Sequence, residues 1–325
     1  MRRPVSILSP GYSWRFWPSA AYIACVDTRP AALLLEIGRE LDADVYPRVT
    51  NGGLVVLSEI DVPQTLSTEV KYGTEKARGS ADGSRPGPAG WQRTFSGPRP
   101  PSASAPVVCA DPKTQVEKQL GGLQEQYPGT QHWRQDDGIL LLIPSKLISG
   151  LDHYAILVLA IQYETGLVRS WGFWASHIST PSWIGPRHTN VDGSICAFDM
   201  ADDAWTWARP LVTLIDLYTI WVVRQLHVRA YGRWPGRQVV HFAGEMLLEF
   251  DPREYCGCSD GRKRYAECCM DRHLAGNRIR DSLNFHWLFG LRTPSAEVVA
   301  FARRQHTPPS IESLFPSAVE WAENL

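Results

Sequence analysis

Two apolar runs, set close together near the middle of the chain, limit its fold more than any other feature. Gly138–Leu147 reads GILLLIPSKL and Tyr154–Tyr163 reads YAILVLAIQY. Runs of this length and composition predict strands rather than helices. A third strand is predicted near Val168–Ala175, with Trp171, Phe173 and Trp174. A helix is expected before them over 111–127, where Asp111-Pro112 is a start signal and Val116, Leu120 and Leu123 fall near helical spacing. After them comes the strongest helix, Leu211–Tyr231. Leu211, Leu214, Ile215, Tyr218, Trp221, Val222 and Leu226 follow the i, i+3, i+4, i+7 rule, and Gly232 and Pro235 end it. At a rise of ~1.5 Å per residue it spans about 30 Å. Its apolar face is expected to meet the strands, with His227 near its end as a surface or capping residue. The order of helix, meander, loop and helix predicts an α+β domain.

The loop between the third strand and the long helix holds His188-Thr189-Asn190-Val191-Asp192-Gly193-Ser194-Ile195-Cys196. One thiol follows an Asp-Gly turn and stands six residues after an Asn. Such a cysteine has two readings. It is a small buried hydrophobe, or it is a nucleophile on an exposed turn with an amide placed to stabilise an oxyanion. Trp205 and Trp207 are expected to pack beneath this loop.

The order His-x-Asn, a few turn residues, then Gly-x-Ile-Cys resembles the active-site segment of ubiquitin-conjugating enzymes. In that family a His-Pro-Asn tripeptide precedes the thioester-forming cysteine by a similar distance. The proline-containing approach from Pro181 to Arg187 and the long helix after Trp205 and Trp207 extend the likeness. It covers roughly residues 110–232, and Thr189 stands where the family has Pro. The resemblance implies a thioester on Cys196, an oxyanion donor in Asn190, and a bracing role for His188 rather than a basic one. Asp192, Asp199, Asp202 and Asp203 make the surroundings acidic. They either orient and deprotonate an incoming amine or form a solvated carboxylate loop. The family further implies an activating enzyme or other acyl donor, a transferred ubiquitin-like or nucleotide-synthase C-terminus, and a protein target. Bacterial conjugation and antiphage operons are its expected setting.

A second motif lies at Tyr255–His273, YCGCSDGRKRYAECCMDRH. Cys256, Cys258, Cys268 and Cys269 place four thiols within fourteen residues. That is too local for a secreted disulfide framework and suits a metal in a reducing compartment, most simply structural zinc. The segment resembles the SEC-C zinc motif, with one additional residue before Cys268. The resemblance leaves Cys269 as fourth ligand, with His273 as its alternative, and implies recruitment of a partner. Arg262, Lys263 and Arg264 form its basic turn.

Composition bounds the remainder. A chain of 325 residues, 44% hydrophobic, is long enough for one sizeable domain and smaller modules. A net charge of -1 argues against a nucleic-acid footprint. No secretory or membrane segment is expected, which points to the cytoplasm. Residues 1–72 contain a helical stretch, Ala31–Leu41, and an Asn51-Gly52-Gly53 hairpin signal. They are either a small α+β module or an N-terminal extension. Residues 73–108 are rich in Gly, Ser, Pro and Arg and are expected to form a flexible linker. The conjugating-type domain is assigned to 109–235 and the zinc-binding and helical region to 236–325. Helices are expected at Ala296–Arg304 and Ala318–Asn324, packing the knuckle or forming a partner-binding arm. Three functions follow: a thioester transferase; a non-catalytic adaptor that binds a ubiquitin-like protein or a target and docks through zinc; or, on the cysteine knuckle alone, a zinc protein of the translocation or ribosome pathway.

Overall fold

The computed structural model describes residues 28–43, 48–50, 53–55, 111–146, 154–175, 180–197, 204–238, 243–258, 263–275, 292–304 and 307–315. The expected linker at 73–108 and the helix at Ala318–Asn324 lie outside them, as do Cys25, Cys109, Asp199, Asp202, Asp203 and Arg262. The fold is mixed α+β around an antiparallel five-stranded sheet.

Helix α1 (Thr28–Asp42) precedes a short hairpin, β1 (Arg48–Thr50) and β2 (Gly53–Val55). Helix α2 (Pro112–Gln126) starts where Asp111 accepts hydrogen bonds from the Thr114 amide at 3.1 Å and hydroxyl at 2.6 Å. The main sheet follows as β3 (Gln131–Arg134), β4 (Gly138–Lys146), β5 (Tyr154–Gln162), β6 (Val168–Ala175) and β7 (Ser182–Trp183), in chain order. The three long strands stand where the apolar runs predict them. The edge strands β3 and β7 are additions to that expectation.

The apolar runs are unbroken because both faces of the sheet are covered. Ile139, Leu141 and Ile143 on β4, with Leu157, Leu159 and Ile161 on β5, face one core. Leu140, Leu142, Ile156, Val158 and Ala160 face the other. Successive side chains point to opposite faces, so a strand buried on both sides carries no polar alternation.

Helix α3 (Leu211–Tyr231) lies on the first face with α2. Gly232 closes it in the left-handed conformation at φ 73°, and its amide donates to the Val228 carbonyl at 2.8 Å. Length and apolarity alone would let this helix cross a membrane, yet 78% of its most apolar window is buried inside the protein. It is the core helix of the first face. Leu34, Ile37 and Leu41 of α1 join the same core, so α1 packs as part of this body. His227 is buried at 2% exposure rather than on the surface. Its Nδ1 lies 3.0 Å from the Arg233 carbonyl, and its ring fills the space beside Gly38 of α1.

The second face takes the end of the described chain. Helices α7 (Ala296–Ala302) and α8 (Ile311–Leu314) bury Val298, Phe301, Ile311 and Leu314 against the sheet. Phe301 meets Trp133 of β3 edge to face, with centroids 4.9 Å apart. The tail was expected on the knuckle or in a free arm. Its apolar residues instead cover the strand face that would otherwise stand open to water. Between α3 and this tail come α4 (Ala243–Glu249), α5 (Tyr265–Cys268) and α6 (Met270–Ala275). Met246, Tyr265, Cys256 and Cys269 make a small separate core there.

Candidate active-site turn and metal centre

The segment from His188 to Cys196 folds as a tight antiparallel turn beside β6, where the Ile195 amide donates to the Ser170 carbonyl at 2.6 Å. Thr189 and Ile195 form its bridge. The Asn190 amide donates to the Ser194 carbonyl at 2.8 Å, and the Cys196 amide to the His188 carbonyl at 3.0 Å. Gly193, at φ 73°, makes the reversal that an L side chain resists. Asp192 finishes the turn: its Oδ1 accepts from the Ser194 amide at 3.0 Å and hydroxyl at 2.6 Å.

Indole groups fasten the turn to the body. Trp171 Nε1 donates to the Asp192 carbonyl at 3.0 Å and Trp183 Nε1 to the Gly193 carbonyl at 3.0 Å. Trp221 Nε1 of α3 donates to the His188 carbonyl at 2.9 Å. Arg169 adds an ion pair with Asp192 Oδ2 at 2.7 Å. Backbone carbonyls in a turn need donors from outside it, and a ring can supply one while its body fills the core. Trp171, Trp221 and Arg169 carry no role in the site that the sequence predicts, and Trp183 is legible there only as one of the aromatic residues flanking the motif. Only the density of Trp around the motif could have signalled them. Trp205 and Trp207, expected beneath the loop, meet edge to face at 5.0 Å, and Trp205 belongs to the first core. Their indoles donate to the carbonyls of Pro210 and Gly166.

Cys196 is exposed. Tyr218 of α3 lies near it: burial pushes the phenol above its ordinary pKa, and the charge of a Cys196 thiolate adds to that. Asn190 is also exposed. Its side-chain amide donates to Ser194 Oγ at 3.0 Å and to the Ile195 carbonyl at 3.3 Å, so both hydrogens serve the turn. Asp192 is likewise committed within the turn and to Arg169. Asp199 and Asp202 lie outside the described residues.

His188 adopts a positive φ of 51°. Its ring stacks on Trp234, with centroids 3.8 Å apart and planes at 31°. Loss of water around the ring, then the charges of Arg187 and Arg224, hold its pKa well below 6.5. It is therefore a neutral imidazole at physiological pH.

The four cysteines form a second site. A bridge between Tyr255 and Arg264 and a 2.9 Å hydrogen bond from the Cys256 amide to the Lys263 carbonyl close a hairpin. The hairpin brings Cys256 and Cys258 to Cys268 and Cys269 at the end of α5. All four sulfurs lie within 4.8 Å of one another and could hold a metal ion. Cys258 and Cys268 are 3.4 Å apart, and Cys268 and Cys269 3.6 Å. As thiols, Cys256 and Cys268 resist ionisation. Burial pushes Cys256 well above its ordinary value, and the hydrogen bond with Cys258, followed by burial, pushes Cys268 up to about 11. Thiols crowded this closely fit a metal that displaces their protons. Arg272 Nη2 donates to Cys269 Sγ at 3.0 Å. His273 is buried, with Nδ1 3.2 Å from the Tyr265 hydroxyl, and is not among the grouped ligand atoms.

No protein-family model, curated protein or solved structure matches the chain.

Proposed function

We propose that the chain is a thioester transferase of ubiquitin-conjugating type, with Cys196 as the acyl carrier and residues 109–235 as the conjugating domain. One observation carries this reading. An exposed thiol sits at the end of a turn fastened by Trp171, Trp183 and Trp221, between an antiparallel meander and a core helix. A rigid, accessible thiol is what exchange with an activated thioester requires, since no tight general-base triad is needed.

In the charging step the Cys196 thiolate attacks the carbonyl carbon of a donor thioester. The bond to Cys196 Sγ forms, the bond to the donor sulfur breaks, and the donor leaves as a thiolate. In the discharge step a target amine attacks the same carbon. A C–N bond forms, the C–S bond to Cys196 breaks, and the amine proton passes to solvent or a nearby carboxylate. Asn190 would meet the oxyanion by giving up its longer bond, to the Ile195 carbonyl. A donor of this kind is worth ~10²–10³ in rate. His188, neutral and stacked on Trp234, braces the turn.

In this reading Cys256, Cys258, Cys268 and Cys269 hold zinc. A zinc ion held by these four sulfurs would be structural, tying the hairpin to α5. The implied partners are an acyl donor such as an activating enzyme, a ubiquitin-like or nucleotide-synthase C-terminus, and a protein target. A bacterial antiphage operon in the cytoplasm is the proposed setting. The test is a thiol-labile, gel-resolved adduct formed with an activating enzyme and a candidate donor protein. Its absence with the candidate donors, or its persistence in Cys196→Ala, overturns the assignment.

A second reading, a non-catalytic adaptor, is favoured by the engagement of both Asn190 amide hydrogens inside the turn. An amide already satisfied suits a turn that only presents a surface.

A further inference from the structure

We infer that Glu254, in the cysteine hairpin, is a positioning residue for the Cys196 turn, so that the metal centre and the thiol are mechanically coupled. The inference rests on the proposed role of Cys196, and its test reads the thiol itself.

Glu254 belongs to the hairpin by its backbone: its carbonyl accepts the Tyr265 amide at 2.8 Å, two residues before the ligand Cys256. Its side chain points the other way and is fully buried. Oε2 accepts from Arg187 Nη2 at 2.7 Å and from Gln238 Nε2 at 3.2 Å. Oε1 accepts from the Trp234 amide at 2.7 Å. One carboxylate thus holds the residue before His188 and the residue on which the His188 ring stacks. The His188 carbonyl in turn receives the Cys196 amide at 3.0 Å. This chain of contacts leads from the hairpin to the nucleophile.

The other end of Arg187 is equally constrained, because its carbonyl accepts Gln225 Nε2 of α3 at 2.6 Å. A second clamp acts on the other neighbour of His188. Arg292, buried, donates to the Thr189 carbonyl at 3.0 Å and pairs with Glu249 of α4 at 2.7 Å. The turn is therefore gripped on both sides of His188 by residues whose acidic partners lie in the region around the hairpin. A buried carboxylate replaced by a neutral group takes from Arg187 its directly bonded partner, leaving only the more distant charges of Glu245, Glu249 and Asp251, which is costly and forces rearrangement. A displacement of ~1 Å at a reacting group is worth ~10²-fold in rate.

The experiment follows alkylation of Cys196 by iodoacetamide, by peptide mass spectrometry, in the full metal-loaded chain. Glu254→Gln keeps the volume and removes the charge. Arg187→Gln removes its partner, and the double variant completes a cycle. Tyr255→Phe is the control, since it loosens the hairpin through its hydroxyl bond to the Asp42 carbonyl without touching the turn. The expected result is a several-fold change in the alkylation rate, and a moved pH profile, in Glu254→Gln and Arg187→Gln. The double variant should match the singles rather than their product, and Tyr255→Phe should behave as wild type. Alkylation unchanged in Glu254→Gln, or multiplicative effects in the cycle, overturns the coupling. If Glu254→Gln does not fold, Arg187→Gln alone decides by the same rate and pH profile. A coupling that appears without any thioester on Cys196 overturns the transferase reading and leaves this one standing.

Discussion

The backbone amide of Cys196 donates to the carbonyl of His188 at 3.0 Å, and the same carbonyl receives the indole N–H of Trp221 at 2.9 Å. One oxygen therefore joins the nucleophile's backbone to the core helix. The thiol is held by main-chain contacts, and its side chain is left exposed. Replacing the sulfur should then alter chemistry without altering the turn. Cys196→Ser should leave the unfolding free energy within about 0.5 kcal/mol of wild type. In a charging assay it should convert a thiol-labile adduct into a reductant-stable ester, and Cys196→Ala should show none. An adduct on gels that survives in Cys196→Ala would place the acceptor elsewhere.

Asn190 separates the two functional readings. Its amide satisfies Ser194 Oγ and the Ile195 carbonyl, so Asn190→Ala should destabilise the protein by ~1 kcal/mol through lost turn bonds. If the amide also serves the oxyanion, single-turnover discharge to an amine should slow by ~10²-fold or more while charging is nearly unchanged. Discharge that slows no more than charging would favour the adaptor. Urea unfolding and discharge kinetics on the same preparation make the comparison.

Gly193 tests how closely the turn is covered. A Cβ there would lie 2.5 Å from the Pro294 nitrogen and 2.6 Å from the Thr293 carbonyl carbon, with φ at 73°. Both neighbours are backbone and cannot swing aside. Gly193→Ala should cost at least ~2 kcal/mol, combining left-handed strain with displacement of the 292–294 segment. Chemical denaturation measures it, and a loss below about 0.5 kcal/mol would show that the segment yields freely.

The metal centre should titrate with protons. Without a cation, burial holds the Cys256 thiol well above its ordinary value, and the hydrogen bond with Cys258, followed by burial, pushes Cys268 up to about 11. Binding zinc must release the thiol protons, so affinity should fall as pH falls. Zinc added to metal-free protein in weak buffer should acidify the solution. Each of Cys256→Ser, Cys258→Ser, Cys268→Ser and Cys269→Ser should lower retained metal, and His273→Ala should retain it. Metal loss in His273→Ala to the same extent would move the ligand assignment.

Asp216 predicts a pH dependence of stability remote from both sites. Burial raises its pKa from 3.8 to about 6, against the hydrogen bonds from Tyr127 and Gln126. The folded state then binds this proton more tightly than the unfolded state. The stability so contributed is complete below about pH 4 and is lost as pH rises through 6. It amounts to up to ~3 kcal/mol. Asp216→Asn, which still accepts from Tyr127, should flatten the stability profile between pH 4 and 7 and be the more stable protein at pH 8. An unchanged profile would exclude this group.

Local pattern in the chain determined the long strands, both main helices and the group of four cysteines. The β4 and β5 runs, the spacing from Leu211 to Leu226, and Cys-x-Cys followed by Cys-Cys need only neighbouring residues to be read. Strands β3 and β7 escaped because they are short and mixed in polarity, and only pairing with β4 and β6 makes them strands. Which surface covers which was decided by tertiary structure. The tail lies on the second sheet face because that face is apolar, and α1 lies on α3 because Leu34, Ile37 and Leu41 share its core. The motif from His188 to Cys196 was legible as a turn with a thiol. Its supports were not: Glu254 meets Arg187 across 67 residues and Arg292 meets Thr189 across 103. A hydrogen bond between distant residues leaves no periodicity in either stretch, since each donor and acceptor is chosen by where the folded backbone happens to bring it.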